Sequence, residues 1–409
     1  ILLMYVKTKL ISILVSVAAW LKLRLWRRES IYGLGLLLVL AAVVWQLSII
    51  PARAASVERA TLVSASSVEA IADNPLSLPY KIVGFASHYV SDSIRVFRAI
   101  GIVFFGVTVV ALYRILKRWH SDKIALFATG MYATNAMALA VARLASPLVL
   151  LLGWSLIISI MLWIQHGESK KIAPIALVLV VGLTLYIPGA FYFLALLTLV
   201  FFNKIKASIL SMRRKTASLA VFATILFAAP LVWSFVQDTA VLREWLLLPP
   251  SIDWAESARN ILRVPSAFIY RSPVDPLLSV GRLPVFDVAV GGLFLVGLYV
   301  YQQNYKLERA RVMLLTALLA VIIGALGQVT AAIVILLPFV YAVVAAGMSS
   351  LLDEWYKVFP KNPFARSFGL LVVSFVVLMT MYYQMTRFMV VWPQTPETRA
   401  QYNQSRLVQ

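Results

Sequence analysis

Apolar runs close to the length that carries a helix across a bilayer recur along the whole chain, and they leave little room for any other architecture. A transmembrane helix needs about 20 predominantly apolar residues. The first such run occupies residues 33–50. Others lie at 99–116, 124–141, 147–164, 172–187, 190–202, 217–236, 288–301, 312–326, 330–348 and 368–383, so about eleven spans are expected. Composition agrees, with 61% hydrophobic and 13% charged residues among 409 and a mean hydropathy of +0.87. Soluble domains carry about 25% charge. The buried fraction of a fold rises only slowly with chain length, so no water-soluble fold of this size hides so much apolar surface. The expected fold class is an all-α polytopic membrane protein.

Charge placement gives the expected topology. Residues 1–30 are apolar but interrupted by Lys7, Lys9, Lys22, Arg24, Arg27 and Arg28, and they lack a small-residue cleavage site. They read as an amphipathic interfacial helix on the cytoplasmic side, with basic side chains snorkelling to the headgroups. The membrane domain then runs over residues 31–383. Its short loops at 117–123, 165–171, 203–215, 302–311 and 349–366 are rich in Lys and Arg. The long loops, 51–98 and 237–287, mix both signs of charge. The positive-inside rule puts the basic loops in the cytoplasm and the long loops outside, with a cytoplasmic N-terminus and an extracytoplasmic tail over residues 384–409. Apolar residues at near-helical spacing in 51–98, followed by the turn signal Asp73-Asn74-Pro75, read as interfacial helices in the first outer loop. Trp245 and Trp254 in the second loop read as interface anchors. The net charge of +20 is accounted for by these basic loops, and with no binding motif beside it nucleic acid is excluded as a partner.

Chemistry has few places to reside. There is no cysteine, so thiolate metal sites and cysteine nucleophiles are excluded. His88, His120 and His166 are scattered, and no GxxxxGK[ST], GxGxxG or HExxH motif occurs. Ion-coupled transporters place ionisable groups inside their spans, whereas these spans are almost bare, with Arg114 near a cytoplasmic end and Arg143 near an outer end. What remains is an outer face bearing acids and basic residues beside the bilayer. Arginine or lysine there can hold a phosphate at headgroup level, and a carboxylate can take the proton of an attacking hydroxyl. Candidate phosphate contacts are Arg143, Arg282, Arg271 and Lys81. The candidate bases are Glu58, Asp73 and Glu69.

Several segments resemble one family in order and placement. Asn74-Pro75-Leu76-Ser77-Leu78-Pro79-Tyr80 and Ser93-Ile94-Arg95-Val96-Phe97-Arg98 precede the second span; Tyr113-Arg114-Ile115-Leu116-Lys117-Arg118-Trp119 closes it. Ala128-Thr129-Gly130-Met131-Tyr132 through Ala142-Arg143-Leu144-Ala145-Ser146-Pro147 forms the third, and Gly281-Arg282-Leu283-Pro284-Val285-Phe286-Asp287 precedes a later one. Trp355-Tyr356-Lys357-Val358-Phe359-Pro360-Lys361-Asn362-Pro363 adds a further segment. Together they resemble the C-type (GT-C) glycosyltransferase superfamily, specifically bacterial relatives of dolichyl-phosphate-mannose–protein mannosyltransferases, over roughly residues 33–400.

The resemblance implies a multi-span helical bundle that transfers a sugar from a polyprenyl-phosphate donor outside the cytoplasmic membrane, by direct displacement at the anomeric carbon. The implied partners are that lipid-linked sugar, the bilayer and an envelope acceptor, whether protein, lipid or glycan. No cofactor is required by every member, and a divalent metal serves some of them. One departure stands out. The family carries an Asp-Glu pair soon after its first span, the Asp acting as base, whereas here Glu58 is the sole acid of that region. The alternatives to an enzyme are a catalytically degenerate relative acting as an envelope scaffold or binding subunit, and a transporter.

Overall fold

The computed structural model describes residues 53–88, 94–165, 172–203, 206, 214–249, 251, 253–272 and 275–403. The expected interfacial segment 1–30 and the first expected span, 33–50, lie outside the described residues. Every regular element among those described is helical.

The first long loop folds into three short helices: α1 (Ser56–Ser64), α2 (Val68–Asp73) and α3 (Leu78–His88). Local chemistry sets their limits. The Ser67 hydroxyl accepts the Ala70 amide to start α2, and Asn74 Oδ1 accepts the Leu76 amide in the turn after it. Next come α4 (Ile94–Trp119), α5 (Asp122–Thr134), α6 (Ala136–Arg143), a 3₁₀ turn (Pro147–Gly153), α7 (Trp154–Gln165), α8 (Ile172–Thr184), α9 (Ala190–Val200) and α10 (Arg214–Gln237). The second long loop carries α11 (Thr239–Trp245) and α12 (Trp254–Ile269). The chain continues through α13 (Val288–Gln303), α14 (Glu308–Ala325), α15 (Val329–Val358) and α16 (Pro363–Thr386). It ends in a π-helical turn (Arg387–Val391), a 3₁₀ turn (Trp392–Gln394) and α17 (Pro396–Asn403).

Three helical stretches among the described residues are long and apolar enough to cross a membrane: Ile94–Trp119, Val329–Val358 and Pro363–Gln394. The expected span 124–141 is instead two helices, α5 and α6, bent by 59° at Asn135, and the pair makes a fourth crossing if taken as one. The remaining expected spans among the described residues fall on α7–α10, α13 and α14, of which α8, α9 and α13 have only 13, 11 and 16 residues. The break has a clear cause. The Asn135 side chain accepts the amides of Met137 and Ala138 while its own amide group donates to Tyr341 Oη at 3.0 Å, so it caps α6 rather than continuing α5. The break near residues 186–190 is also real. Gly189 sits at φ +76°, its amide donates to the Trp245 carbonyl at 2.8 Å, and the Tyr186 carbonyl accepts the Ser77 amide at 2.6 Å. This kink therefore hydrogen-bonds to both long loops. Trp245 is half-buried and donates its indole N–H to the Leu185 carbonyl at 2.6 Å. Trp254 is 79% exposed.

The core is α15, buried over most of its length, with α13 pressed against it. A Cβ on Gly347 would lie 2.0 Å from the Leu293 carbonyl oxygen, and one on Gly297 would lie 2.0 Å from that of Val343. Only glycine lets the two backbones approach so closely, as in the small-residue interfaces of membrane helices. The charged stretch Asp353-Glu354-Trp355-Tyr356-Lys357, expected in a loop over 349–366, continues α15 to Val358. Gly347→Ala should lower stability by about 1–3 kcal/mol, read as a fall in the melting temperature of purified protein in detergent. An unchanged melt would contradict this close crossing.

Candidate functional site

Glu58, the first acid among the described residues, is drawn completely inside. Glu58 stands in the first turn of α1, where a carboxylate favours the helix N-terminus, and its Oε2 accepts the Ala55 amide at 2.9 Å. Its side chain is 0% exposed. Arg98, near the start of α4 and equally buried, forks onto it: Nε donates to Oε1 at 2.9 Å and Nη2 to Oε2 at 2.8 Å. This bidentate arrangement is the strongest geometry available to a guanidinium–carboxylate pair. Nη2 also donates to the Arg53 carbonyl at 2.7 Å, which pins the entry to α1. Glu58 Oε1 further accepts the Ala145 amide at 3.2 Å, and Arg143 Nη1 stands 4.0 Å from it.

Backbone packing sets this geometry. Gly101 lies one turn beyond Arg98 on α4, and a Cβ there would meet the Ala142 carbonyl oxygen at 2.5 Å. α4 and α6 therefore touch at the residue preceding Arg143, which brings both guanidinium groups to one carboxylate. The C-terminal segment closes the cluster from the other side. Arg143 Nη1 donates to the Tyr402 hydroxyl, and its guanidinium lies 5.3 Å from the Trp392 ring centre and 5.1 Å from that of Tyr402. Those π faces partly offset the second, less closely paired cation. Trp392 is anchored in turn, its indole N–H donating to the Pro276 carbonyl at 3.1 Å, and Thr398 Oγ1 donates to the same carbonyl at 2.9 Å. The first long loop, the start of α4 and the end of α6 thus meet at one buried carboxylate, and the tail, held to the second long loop, closes over it.

Burial alone would raise the Glu58 pKa, but the hydrogen bonds from Arg98 and the charges of Arg143 and Arg98 outweigh it and hold the carboxyl below its ordinary range. The group is an anchor, and no acceptor reaches it in this arrangement because it is 0% exposed. Glu69 and Asp73 are exposed on α2. Lys81 is buried on α3 and donates to the Asn74 carbonyl at 2.6 Å; burial lowers its pKa, partly offset by Glu244. Arg271 and Arg282 are both exposed and lie on adjacent strands of chain, tied by the Ser272 amide donating to the Arg282 carbonyl at 3.3 Å.

Of the seven residues expected at a site, Glu58 and Arg143 are brought together, Arg271 and Arg282 are neighbours, and no contact joins Lys81, Glu69 or Asp73 to the buried cluster. Arg98 escaped the candidate set although its signal was visible: an arginine one turn inside an apolar helix needs a partner. Tyr402 and Trp392 had no such signal, being aromatics in a tail that reads as polar. Among the described residues no group of three or more His, Asp or Glu side chains is placed to hold a metal ion.

The class defined by fold and site is an all-helical protein, with helices able to cross a membrane and a buried carboxylate–guanidinium cluster closed by its tail. No protein-family model matches the chain, and no curated protein matches it.

A carboxylate held below its unfolded value stabilises the fold above that value, and the contribution is lost as pH falls through the folded one. Thermal stability should therefore decline as pH drops beneath the ordinary value of 4.5. Glu58→Gln should cost about 3–5 kcal/mol at neutral pH, because it leaves buried guanidinium charge uncompensated, and should flatten the acid limb. A variant that melts with the wild type at pH 7 would contradict this role.

Proposed function

We propose that the chain is an integral-membrane glycosyltransferase of the C-type superfamily, multi-pass in the cytoplasmic membrane with its N-terminus inside and its C-terminus outside. It takes a sugar from a polyprenyl phosphate and transfers it to an envelope acceptor on the extracytoplasmic side. The observation that carries this reading is the meeting of the first-loop acid with the arginines of α4 and α6. These are residues the family resemblance sets at the outer face, far apart in sequence, and they share one buried point. The count of about eleven spans belongs to the same reading, and three or four helices with the required length and apolarity support it.

In this scheme the acceptor oxygen attacks the anomeric carbon, the bond from that carbon to the phosphate oxygen breaks, and polyprenyl phosphate leaves with both bonding electrons. Arginine charge at the outer face stabilises the leaving phosphate. Glu58 positions the arginines and the first loop rather than taking a proton, since its oxygens are already occupied by donors. The acceptor proton goes to an exposed carboxylate of the same loop, Asp73 or Glu69.

A second reading, a binding subunit without turnover, draws on a specific observation. If Glu58 stands for the second member of the family's Asp-Glu pair, the first member's place is held by Val57, whose side chain brings no carboxylate. Incubating the purified full-length protein with polyprenyl-phosphate sugars separates the two. The enzyme reading expects transfer by the wild type and a loss of about 10²–10⁴ in rate in the double variant Glu69→Gln, Asp73→Asn, with the melt unchanged. Transfer that survives the double substitution would remove those acids from the reaction. Donor binding with no transfer by the wild type would favour the binding subunit.

A further inference from the structure

Helix α12 carries more apolar surface than its contacts cover. Asp253 Oδ1 accepts the Ala255 amide at 2.9 Å to start it, and one side of the helix is buried through Asn260, Val264, Ala267 and Phe268. That side fixes its place. A Cβ on Gly324 would lie 2.3 Å from Val264 Cγ2 and 3.4 Å from the Ala332 Cβ, so α12 rests where α14 ends and α15 begins. The Ala267 and Phe268 carbonyls accept the Val285 and Phe286 amides, both at 3.0 Å, and the Phe268 and Phe286 rings stand 5.1 Å apart. Asp287, the next residue, caps α13. The C-terminal half of α12 is therefore fastened at one end of each of three helices, and α15 among them is long and apolar enough to cross a membrane.

The rest of α12 divides into two stripes. Trp254, Ala258, Ile261, Leu262, Pro265 and Ile269 recur at intervals of one, three and four residues, which a helix gathers on one side. All of them are exposed, Leu262 at 71% and Ile269 at 62%. Exposed Glu256, Arg259 and Arg263 follow helical spacing on the side between this stripe and the buried one. Arg263 stands 3.6 Å from Glu256 and donates to Asn260 Oδ1 at 2.9 Å, whereas Arg259 has no ion pair among the described residues. On α14, exposed Leu314, Leu318 and Ile322 form an apolar stripe of their own that ends two residues short of Gly324, where Val264 docks. Singly exposed apolar residues are ordinary, but a full helical stripe of them marks an interaction surface.

We infer that α12 is a lipid-seated anchor for the second long loop. Its bare stripe lies among the acyl chains of one leaflet, and Arg259 and Arg263 meet the phosphates of anionic phospholipids there. Two observations choose this occupant. The helix is fastened to the ends of apolar helices, at the point where the bare stripe of α14 arrives. The charged stripe is basic on balance, two arginines against a single glutamate that already stands beside one of them. Trp and Leu on one face with Arg on another is the composition of helices that lie at a membrane interface, held by buried apolar area and by attraction to anionic headgroups. The same anchor sets the level of the segment after α12, whose Pro276 carbonyl receives the tail. The inference goes beyond sugar transfer and asks only that α13–α15 lie in a bilayer, so a protein without transferase activity leaves it intact.

The chain has no cysteine, so a single cysteine placed on α12 takes a nitroxide label without background. Full-length protein carrying Leu262→Cys, Ile269→Cys or Glu256→Cys is reconstituted in vesicles of phosphatidylcholine and phosphatidylglycerol. Each label is then probed by collision with oxygen, which concentrates in lipid, and with a water-soluble nickel chelate. Labels at the Leu262 and Ile269 positions should be open to oxygen and shielded from nickel, and the label at Glu256 should show the reverse. Nickel reaching all three positions alike overturns the lipid seat, and so does shielding of the Leu262 position from both reagents. Spin–spin broadening there that fades on dilution with unlabelled protein assigns the stripe to a second copy instead. In a second arm, fluorescent phosphatidylglycerol and phosphatidylcholine are titrated onto the protein in detergent. Arg259→Gln and Arg263→Gln should each cut the preference for phosphatidylglycerol by about fivefold. An unchanged preference in both variants overturns the headgroup contacts.

Discussion

One carboxylate, taken wholly out of water, organises this protein. Glu58 is 0% exposed, and moving an ionised carboxyl into such surroundings is tolerable only when donors and opposite charge replace its hydration. They do so in full. Arg98 supplies a two-pronged hydrogen bond, the Ala55 and Ala145 amides fill further lone pairs, and Arg143 adds a second positive charge. Such a cluster adds little net stability over an apolar packing of equal volume. Its effect is specificity: α1, α4 and the end of α6 have one mutual arrangement in which the oxygens of Glu58 are satisfied.

Backbone contact makes that arrangement reachable. Gly101 against the Ala142 carbonyl, and Gly347 and Gly297 where α15 meets α13, are places where a single methyl group would separate two helices. The C-terminal segment then seals the cluster. Tyr402 takes a hydrogen bond from Arg143, while Trp392 and Thr398 both hold the Pro276 carbonyl in the second long loop. A carboxylate in the first loop is coupled in this way to α17.

Much of the helical plan was legible in the sequence because lipid is a blunt selector: a run such as Ile94–Trp119 keeps its charges at the ends, and its helix follows. Where expectation and structure part, a tertiary contact or a capping side chain has overruled hydropathy. Apolar residues run on through Asn135, so 124–141 reads as one span. The break depends on an amide side chain that caps α6 while reaching Tyr341 on α15, a pairing no local pattern reveals. Residues 353–357 look like a loop because they are charged, yet charge at the end of a helix is compatible with its continuation. At the site, residue type was readable and partnership was not. Glu58 and Arg143 were both visible as unusual, but only the approach of α4 to α6 joins them, and it is permitted by a glycine that hydropathy ignores.

For function, the cluster acts as a foundation rather than as a reacting group, and it leaves the exposed acids and arginines around it to meet a substrate. The amide of Ala55 gives the most direct view of that foundation. It lies outside α1, and its partner is the Glu58 carboxylate. Hydrogen exchange resolved at this amide in the intact protein should show slow exchange, and Tyr402→Ala should accelerate it by unsealing the cluster. Exchange at the rate of an open loop in the wild type would contradict the buried anchor and the account built on it.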